Sequence, residues 1–155
     1  QAVYEIVLAA NEAAIAACRP GIPFMAPHDA AVRVMVEGLV SLKLLRGDVD
    51  GLIEAGEYRR FCPHNTSHWL GSDVHDVGDY RVGGASRQLE PGMVLTIEPG
   101  IYLPAAEGVP ARFRNLGVRI EDDVLITRDG NEVLTEAAPK AVGDVVKAMG
   151  RRRRG

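Results

Sequence analysis

The chain has 155 residues, of which 46% are hydrophobic and 25% are charged, and its formal net charge at pH 7 is -3. A chain of this length and composition is expected to fold as one domain with its own core, and its small negative charge gives no reason to expect nucleic acid as a partner. No apolar run approaches the length of a membrane span, so we do not expect the protein to cross a membrane.

The first half of the chain has the apolar spacing of helices. One helix is predicted from Val3 to Cys18 and ends at Arg19-Pro20-Gly21, because proline cannot continue a helix and glycine permits the turn. A second is predicted from Pro27 to Leu45, with a short polar residue as its cap and Gly47 at its end. A third, shorter helix is predicted from the cap Asp48 to Tyr58.

The second half has the frequent glycines and prolines and the short β-branched runs that are typical of strands. Strands are predicted at His68–Leu70, Met93–Glu98, Ile101–Leu103, Val118–Thr127 and Glu132–Thr135. The stretch Arg128-Asp129-Gly130 is predicted to be the hairpin turn that pairs the last two of them. A closing helix is expected over residues 139–149, beginning at Pro139. Helices followed by mostly antiparallel strands indicate an α+β fold.

Three of the chain's four histidines, His64, His68 and His75, lie close together in the sequence. Imidazole is the commonest protein metal ligand and is well suited to proton transfer near neutral pH. A single histidine on a strand is more often a packed or surface residue. In an extended chain, however, the period of two places His64 and His68 on one face, and a turn at Gly71 could bring His75 back to the same cavity.

Two glutamates stand where predicted strands end or are interrupted. Glu98 follows the apolar run Met93–Ile97, and a carboxylate at the end of a buried strand needs a cation, a donor or a proton. Glu121 shares a face with Arg119 by the strand period. The alternatives are a solvent-facing Glu98 and a surface ion pair between Arg119 and Glu121. Taken together, histidines and glutamates presented by strands predict a metal site in the second half of the chain.

The two cysteines, Cys18 and Cys62, are far apart and lack CxxC spacing, which is typical of reduced thiols in a cytoplasmic protein. Cys62 lies two residues before His64, so a soft metal ligand stays open, but a buried structural thiol is the main expectation. The only basic run follows the predicted closing helix. We therefore expect one domain at residues 1–149 and a disordered, solvated tail at residues 150–155.

Several motifs resemble those of the aminopeptidase P family, which belongs with prolidase and methionine aminopeptidase to the pita-bread metallopeptidases. The resemblance covers the chain to about residue 149 and corresponds to the C-terminal part of the catalytic domain. It rests on the blocks Gly47–Asp50, Thr66–Gly71, Asp73–Gly78, Leu89–Gly100 and Gly117–Val124 and on the spacing between them. The stretch Val109–Gly117 resembles aminopeptidase P more than methionine aminopeptidase.

The resemblance implies a fold and a metal centre. The fold would be the α+β pita-bread fold, and this chain would supply its second half, a curved and mostly antiparallel sheet with flanking helices. His68, Glu98 and Glu121 would be ligands of a dinuclear centre, commonly of manganese, with zinc and cobalt as alternatives. Glu121 would bridge both ions, and Glu98 would also act in catalysis by passing on a proton of the water that the metal activates.

The resemblance also implies an activity and a substrate. The enzyme would hydrolyse the peptide bond between an N-terminal residue and a following proline, so its partner would be a peptide with proline in the second position. His64 and His75 would bind this peptide and stabilise the tetrahedral intermediate as catalytic residues. Arg119 would brace the metal ligands beside the substrate. The formation of a homo-oligomer stays open.

The chain departs from the family pattern in three places. No residue matches the two aspartate ligands that the family carries before its long helix, so we expect this chain to be part of a longer protein. Asn65 stands where the family usually has a small residue, and Ser72 stands where it has an aliphatic one. We expect these two changes to adjust the pocket.

Three other functions remain as alternatives. A prolidase, which cuts Xaa-Pro dipeptides, would share this half of the fold. A non-catalytic pita-bread module would bind a peptide or protein partner, and a hydrolase of the creatinase type would use histidine without metal. The retained His68, Glu98 and Glu121 argue against the binding module, which has no need for all three, and the retention of both glutamates argues against the creatinase type.

Overall fold

The computed structural model describes residues 1–150 and shows helices followed by antiparallel strands, which confirms the α+β class. The helices are α1 (Ala2–Ala17), α2 (Ala26–Ser41), α3 (Val49–Glu54) and α4 (Val142–Gly150), with 3-10 turns at Glu57–Arg60 and Ala111–Phe113. The strands are β1 (Arg81–Val82), β2 (Ala85–Ser86), β3 (Val94–Ile97), β4 (Gly100–Leu103), β5 (Leu116–Arg119), β6 (Asp122–Ile126) and β7 (Asn131–Val133). Apart from Gly150, the predicted tail lies outside the described residues.

Helices α1 and α2 pack closely and bury the apolar faces that their sequence spacing predicts. Gly38 permits this approach, because a Cβ atom at that position would lie 2.5 Å from Cγ2 of Ile6. The predicted polar cap of α2 is wrong, since Met25 precedes the helix and makes no side-chain capping bond. The helix also ends earlier than predicted: Lys43 has a φ of 61°, and Leu44 N then donates to Leu39 O.

Helix α3 begins as predicted but is shorter. The side chain of Asp48 accepts a hydrogen bond from Gly51 N at 3.1 Å, which satisfies an amide of the first turn. Gly56, with a φ of 69°, separates α3 from the following 3-10 turn that contains Tyr58. The prediction of one helix to Tyr58 is therefore wrong, because a left-handed residue interrupts it.

The predicted strand Val118–Thr127 is in fact two strands. β5 pairs with β4, whereas β6 pairs with β3 on one side and β7 on the other. Both long ladders share one antiparallel register, from Ile97↔Asp122 to Gly100↔Arg119. Pro99 breaks the ladder between these pairs, because proline has no N–H to donate. The continued register places Glu98 directly opposite Glu121.

The predicted strand His68–Leu70 forms only an isolated bridge, Trp69↔Leu95, although the chain runs along the free edge of β3. Thr96 N donates to His68 O at 3.0 Å, and Glu98 N donates to Thr66 O at 2.7 Å. This edge segment, residues 66–70, therefore brings His68 beside β3, which Glu98 directly follows.

The C-terminal part of the described chain matches the predictions for the hairpin but not for the closing helix. β7 pairs back against β6 through the turn at residues 128–130, where Thr127 N donates to Gly130 O at 3.0 Å. The helix begins at Val142, three residues after Pro139, and has no buried residue. Within residues 1–150, none of the helices combines the length and apolar character that a membrane crossing requires.

One face of the sheet carries the core and the other carries the polar residues. Leu95, Ile97 and Val124 are fully buried on the core side, and Asn11 of α1 donates to Ile97 O at 3.1 Å. Because side chains alternate along a strand, Glu98, Gly100 and Tyr102 share the opposite face. The second face is therefore where the predicted site residues converge.

Candidate metal centre

His68 is held in an orientation that leaves one ring nitrogen free to bind a cation. Its main-chain N–H donates to Thr96 Oγ1 at 3.1 Å, which fixes the backbone on the edge of β3. Its Nδ1 lies 2.9 Å from Trp69 O. A carbonyl oxygen only accepts, so Nδ1 carries the hydrogen and a neutral ring has its lone pair on Nε2. This is the arrangement of histidines that bind metal through Nε2.

Two carboxylates complete a cluster with His68. Nε2 of His68 lies 3.4 Å from Oε1 of Glu98, whose side chain is only 13% exposed. One ligand atom each from His68, Glu98 and Glu121 lie within 4.8 Å of one another. Like charges directly opposite on an antiparallel pair are destabilising, and here an imidazole lone pair faces them as well. A cation among the three groups would remove this repulsion, so the residues fit a divalent metal ion.

Arg119 lies between the two glutamates and compensates part of their charge. Its Nε is 3.6 Å from Oε2 of Glu98, and its Nη2 is 3.7 Å from Oε2 of Glu121. The side chain of Arg119 is about half exposed, with 51% of its surface accessible, so both contacts are screened by solvent. One guanidinium facing two carboxylates leaves the cluster with a net negative charge.

His64 does not join this cluster directly but contacts a tyrosine on the same face. Its Nδ1 lies 2.8 Å from Asn65 O, and its Nε2 lies 2.9 Å from the hydroxyl of Tyr102. In the tautomer with its hydrogen on Nδ1, which the Asn65 carbonyl favours, Nε2 accepts from the Tyr102 hydroxyl.

Sequence reasoning did not identify Tyr102. The ring of Tyr102 lies against two glycines, because Cβ atoms would lie 2.7 Å from its hydroxyl at Gly100 and 3.2 Å from its Cδ1 at Gly117. Gly117 is its cross-strand partner. A glycine two residues before an aromatic residue, with a second glycine across the ladder, is the signal that could have found it.

The loop at residues 71–80 brings His75 back to His68. The ring centroids of the two histidines lie 4.4 Å apart, although His75 itself is exposed. Asp76 shapes the loop, since its carboxylate accepts from Ser72 N at 3.1 Å and from Val77 N at 3.0 Å. Gly71 is needed there, because a Cβ atom would collide with Oδ2 of Asp76.

The fourth histidine, His28 of α2, holds the edge segment through its contacts with Thr66. Thr66 N donates to Nδ1 of the buried His28 at 3.2 Å, and the hydroxyl of Thr66 lies 2.9 Å from the same atom. Burial lowers the pKa of His28 below its ordinary value, with the charge of Asp29 opposing the shift and that of Arg59 adding to it. His28 is therefore a neutral acceptor that fixes the chain two residues before His68.

Cys62 lies in the core, as expected of a structural thiol. Its Sγ packs 3.7 Å from the sulfur of Met35, and burial raises its pKa to about 12. A thiol is a metal ligand only as the thiolate, which burial disfavours here. The alternative of a soft ligand at Cys62 has no support in this environment.

The sequence and the structure of the chain are both similar to those of known metallopeptidases. The model of metallopeptidase family M24 matches residues 1–128. An Xaa-Pro aminopeptidase of Haemophilus influenzae is 47% identical over 149 residues, covering 95% of this chain and 34% of that protein. Pseudomonas aeruginosa aminopeptidase PepP is 53% identical, with a TM-score of 0.94 over 96% of this chain and 34% of that chain. A zinc-substituted Escherichia coli aminopeptidase P in complex with product is 46% identical, with a TM-score of 0.92 over 99% of this chain and 35% of that chain.

The chain spans about a third of the length of the curated relatives that it matches. Over that third, the likeness to solved aminopeptidase P structures confirms the α+β pita-bread fold of the second half. The likeness extends across both the helices and the strands that carry the cluster, since it covers 96% of the chain.

Proposed function

Since the chain belongs to metallopeptidase family M24, we propose that it is the C-terminal part of the catalytic domain of a metal-dependent aminopeptidase, with residues 1–149 forming this part. The enzyme would hydrolyse the bond between an N-terminal residue and a following proline. One observation carries the proposal: Glu98 faces Glu121 across the broken ladder, with Nε2 of His68 turned toward them. Relatives named Xaa-Pro aminopeptidase support the substrate class.

The proposed metal ligands are His68, Glu98 and Glu121, whose ligand atoms lie within reach of one ion. Mn²⁺ is the proposed ion because sets rich in carboxylates suit hard cations, with Zn²⁺ and Co²⁺ as alternatives. When bound, the ion supplies an activated water and polarises the substrate carbonyl. Glu98 is the proposed proton carrier, because it is the more buried carboxylate and lies between His68 and Arg119.

The other polar residues of this face are proposed to bind and orient the peptide. His75 is exposed beside His68, so its ring can donate to negative charge that develops on the carbonyl oxygen. His64, held by Asn65 O and the Tyr102 hydroxyl, is proposed as a second contact to the peptide. Arg119, which faces both carboxylates, is proposed to brace them and to contact the substrate from the same face.

The alternatives are less well supported. A binding module without metal has no need for three ligand groups within 4.8 Å, and a creatinase-type hydrolase has no need for two opposed glutamates. Prolidase shares this chemistry. The relatives at 47% and 48% identity are named Xaa-Pro aminopeptidases, which favours the longer peptide as substrate.

The test is metal content together with peptide cleavage. Both the chain and the protein that carries it are loaded with Mn²⁺, the bound metal is counted by mass spectrometry, and release of the first residue of an Xaa-Pro-Xaa peptide is followed. Stoichiometric metal with release supports the proposal. The absence of both from the longer protein would rule it out.

The first prediction concerns Glu98→Gln. We expect this variant to fold normally but to lose essentially all peptidase activity, because an amide neither carries the proton nor offers a charged ligand. Circular dichroism checks the fold and cleavage of the same peptide checks the activity. Glu132→Gln, at an exposed position of β7, is the matched control and keeps full activity. Full activity of Glu98→Gln would contradict the assignment.

A further inference from the structure

Behind the candidate metal centre, on the core side of the sheet, lies a buried carboxylate that the proposed chemistry does not use. Asp122 follows Glu121 and is 0% exposed, and by the alternation of a strand its side chain points away from the site. Its Oδ1 accepts the hydroxyl of Thr135 at 2.6 Å and Nζ of Lys140 at 2.8 Å. Burying a carboxylate is costly without polar partners, so these two contacts hold Asp122 in place on the core side.

These contacts hold the main chain as well as the side chain. The hydroxyl of Thr135, which donates to Asp122, also accepts from Asp123 N at 3.1 Å. Lys140 donates a second bond to Thr135 O at 3.3 Å, and its own carbonyl accepts from the Tyr4 hydroxyl at 2.7 Å. The residues directly after Glu121 are thereby fastened to the C-terminal segment and, through it, to α1.

Glu121 depends on the support of neighbouring residues more than Glu98, on the facing strand, does. It lies in the gap between β5 and β6, where no ladder pair fixes the backbone. Within residues 1–150, its carboxylate accepts no hydrogen bond, and its one ion pair, with Arg119, is 3.7 Å long. Glu98, in contrast, is tied through its own N–H to Thr66 O. The position of Glu121 is therefore set by how firmly its neighbours on either side are held.

We propose that Asp122, Thr135 and Lys140 form a clamp that positions Glu121 for metal binding, so that the clamp residues are positioning residues of the centre. This inference rests on the proposed function, since it presupposes that Glu121 binds metal. Asn11 acts in the same way on the facing strand, because it holds Ile97 O directly before Glu98. Outer groups of this kind typically change metal affinity by about 10-fold to 100-fold when removed.

The decisive variants are Thr135→Val and Thr135→Ser. Valine keeps the shape but removes the hydroxyl that joins Asp122 Oδ1 to Asp123 N, and no charge near the site changes. We expect Thr135→Val to bind Mn²⁺ about 10-fold more weakly, with an altered Mn²⁺ electron paramagnetic resonance spectrum. Thr135→Ser restores the hydroxyl and should bind as the wild type does. Calorimetric titration of the longer protein that carries this chain, with Mn²⁺ alone, gives the affinities independently of peptidase activity.

A second variant and a control separate positioning from stability. Lys140→Met removes the other donor to Asp122, and we expect it to weaken Mn²⁺ binding too. Val36→Ala, in the core of α2, lowers stability without touching the clamp and should leave the affinity unchanged. Equal affinity in wild type, Thr135→Val and Lys140→Met would overturn the clamp alone, as would an equal loss in Val36→Ala. No Mn²⁺ binding by the wild-type longer protein would overturn the proposed function and the clamp with it.

Discussion

At the scale of single residues, the candidate site separates the proposed ligands from the groups proposed to face the substrate. His68 has one ring nitrogen bonded to Trp69 O and the other directed at Glu98. Within residues 1–150, no hydrogen bond anchors the ring of His75, which lies exposed beside the ring of His68. A side chain that is not needed to hold the ion is free to follow the charge changes of a reaction. We therefore expect the two histidines to respond differently to removal.

His75→Ala tests this difference. We expect turnover of the Xaa-Pro-Xaa peptide to fall about 10²-fold, the usual effect of losing one donor to a developing oxyanion, while bound metal stays near the wild-type amount. Steady-state kinetics and metal analysis on the same preparation measure both. Val77→Ala, in the same loop and 90% exposed, serves as the control. An equal loss of metal in His75→Ala would make His75 a ligand instead.

Residue types reveal candidate ligands more readily than they reveal supporting groups. His68, Glu98 and Glu121 were identifiable as candidates because imidazoles and carboxylates beside apolar runs need partners. Tyr102 looked like an ordinary strand residue, since its role depends on glycines that only the register places beneath it. His28 was missed for a similar reason, because its contact with Thr66 joins positions far apart in the sequence.

At the scale of elements, Pro99 sets the position of the break in the ladder where the candidate site lies. An apolar run such as Val118–Ile126 predicts one strand, and nothing within the run itself shows that it changes partner. The break comes from Pro99 on the facing strand, which cannot donate to the ladder. Periodicity within one segment describes its own faces. It does not show where the strand that pairs with the segment lacks a hydrogen-bond donor.

The contact between α1 and α2 gives a prediction about stability. Gly38→Ala should destabilise the fold by about 1–3 kcal/mol, because the new Cβ would overlap the side chain of Ile6 and the packed helices resist separation. Urea unfolding measures the change. Ile6→Ala in the same chain removes the overlapping atoms, so the double variant should recover part of the loss. A Gly38→Ala variant more stable than the wild type would show that the helices move apart freely.

His28, which joins α2 to the edge segment, gives a prediction about pH. Its pKa in the folded chain is lowered from the ordinary value of 6.5, chiefly by burial. As the pH falls below about 6.5, the unfolded chain therefore takes up a proton that the folded chain does not, and the free energy of unfolding decreases. In His28→Asn, where an amide oxygen can replace Nδ1 as acceptor, this decrease should be smaller. Urea unfolding at about pH 7.5 and pH 5.5 measures the decrease in the free energy of unfolding for the wild type and for His28→Asn. An equal decrease in both would exclude His28 as the cause.

At the scale of the whole molecule, the two buried cysteines report whether residues 1–149 behave as one domain. Cys18 lies at the end of α1, and Cys62 packs against Met35 of α2. Burial raises the pKa of both thiols to about 12, so almost no thiolate exists in the folded chain at neutral pH. Each can react only when the chain opens.

We expect both cysteines to be labelled by a thiol reagent at the same slow rate, and quickly in denaturant. Mass spectrometry of the labelled peptides measures the two rates separately. Equal rates indicate one cooperative unit. Much faster labelling of one cysteine would show that its part of the chain opens alone. The prediction of a single domain at residues 1–149 would then be wrong. The Cys18→Ala and Cys62→Ala variants confirm which peptide carries each label.

The shared register of the two ladders also bears on the order of folding. Glu98 and Glu121 belong to a single antiparallel hairpin interrupted at Pro99, so closing that hairpin brings them face to face. His68 reaches them only when a separate segment docks along β3. Contacts within a hairpin generally form before more distant ones, so the acidic pair meets while the chain is still assembling. Its repulsion then opposes closure, and the divalent ion proposed for catalysis would act earlier as a folding cofactor.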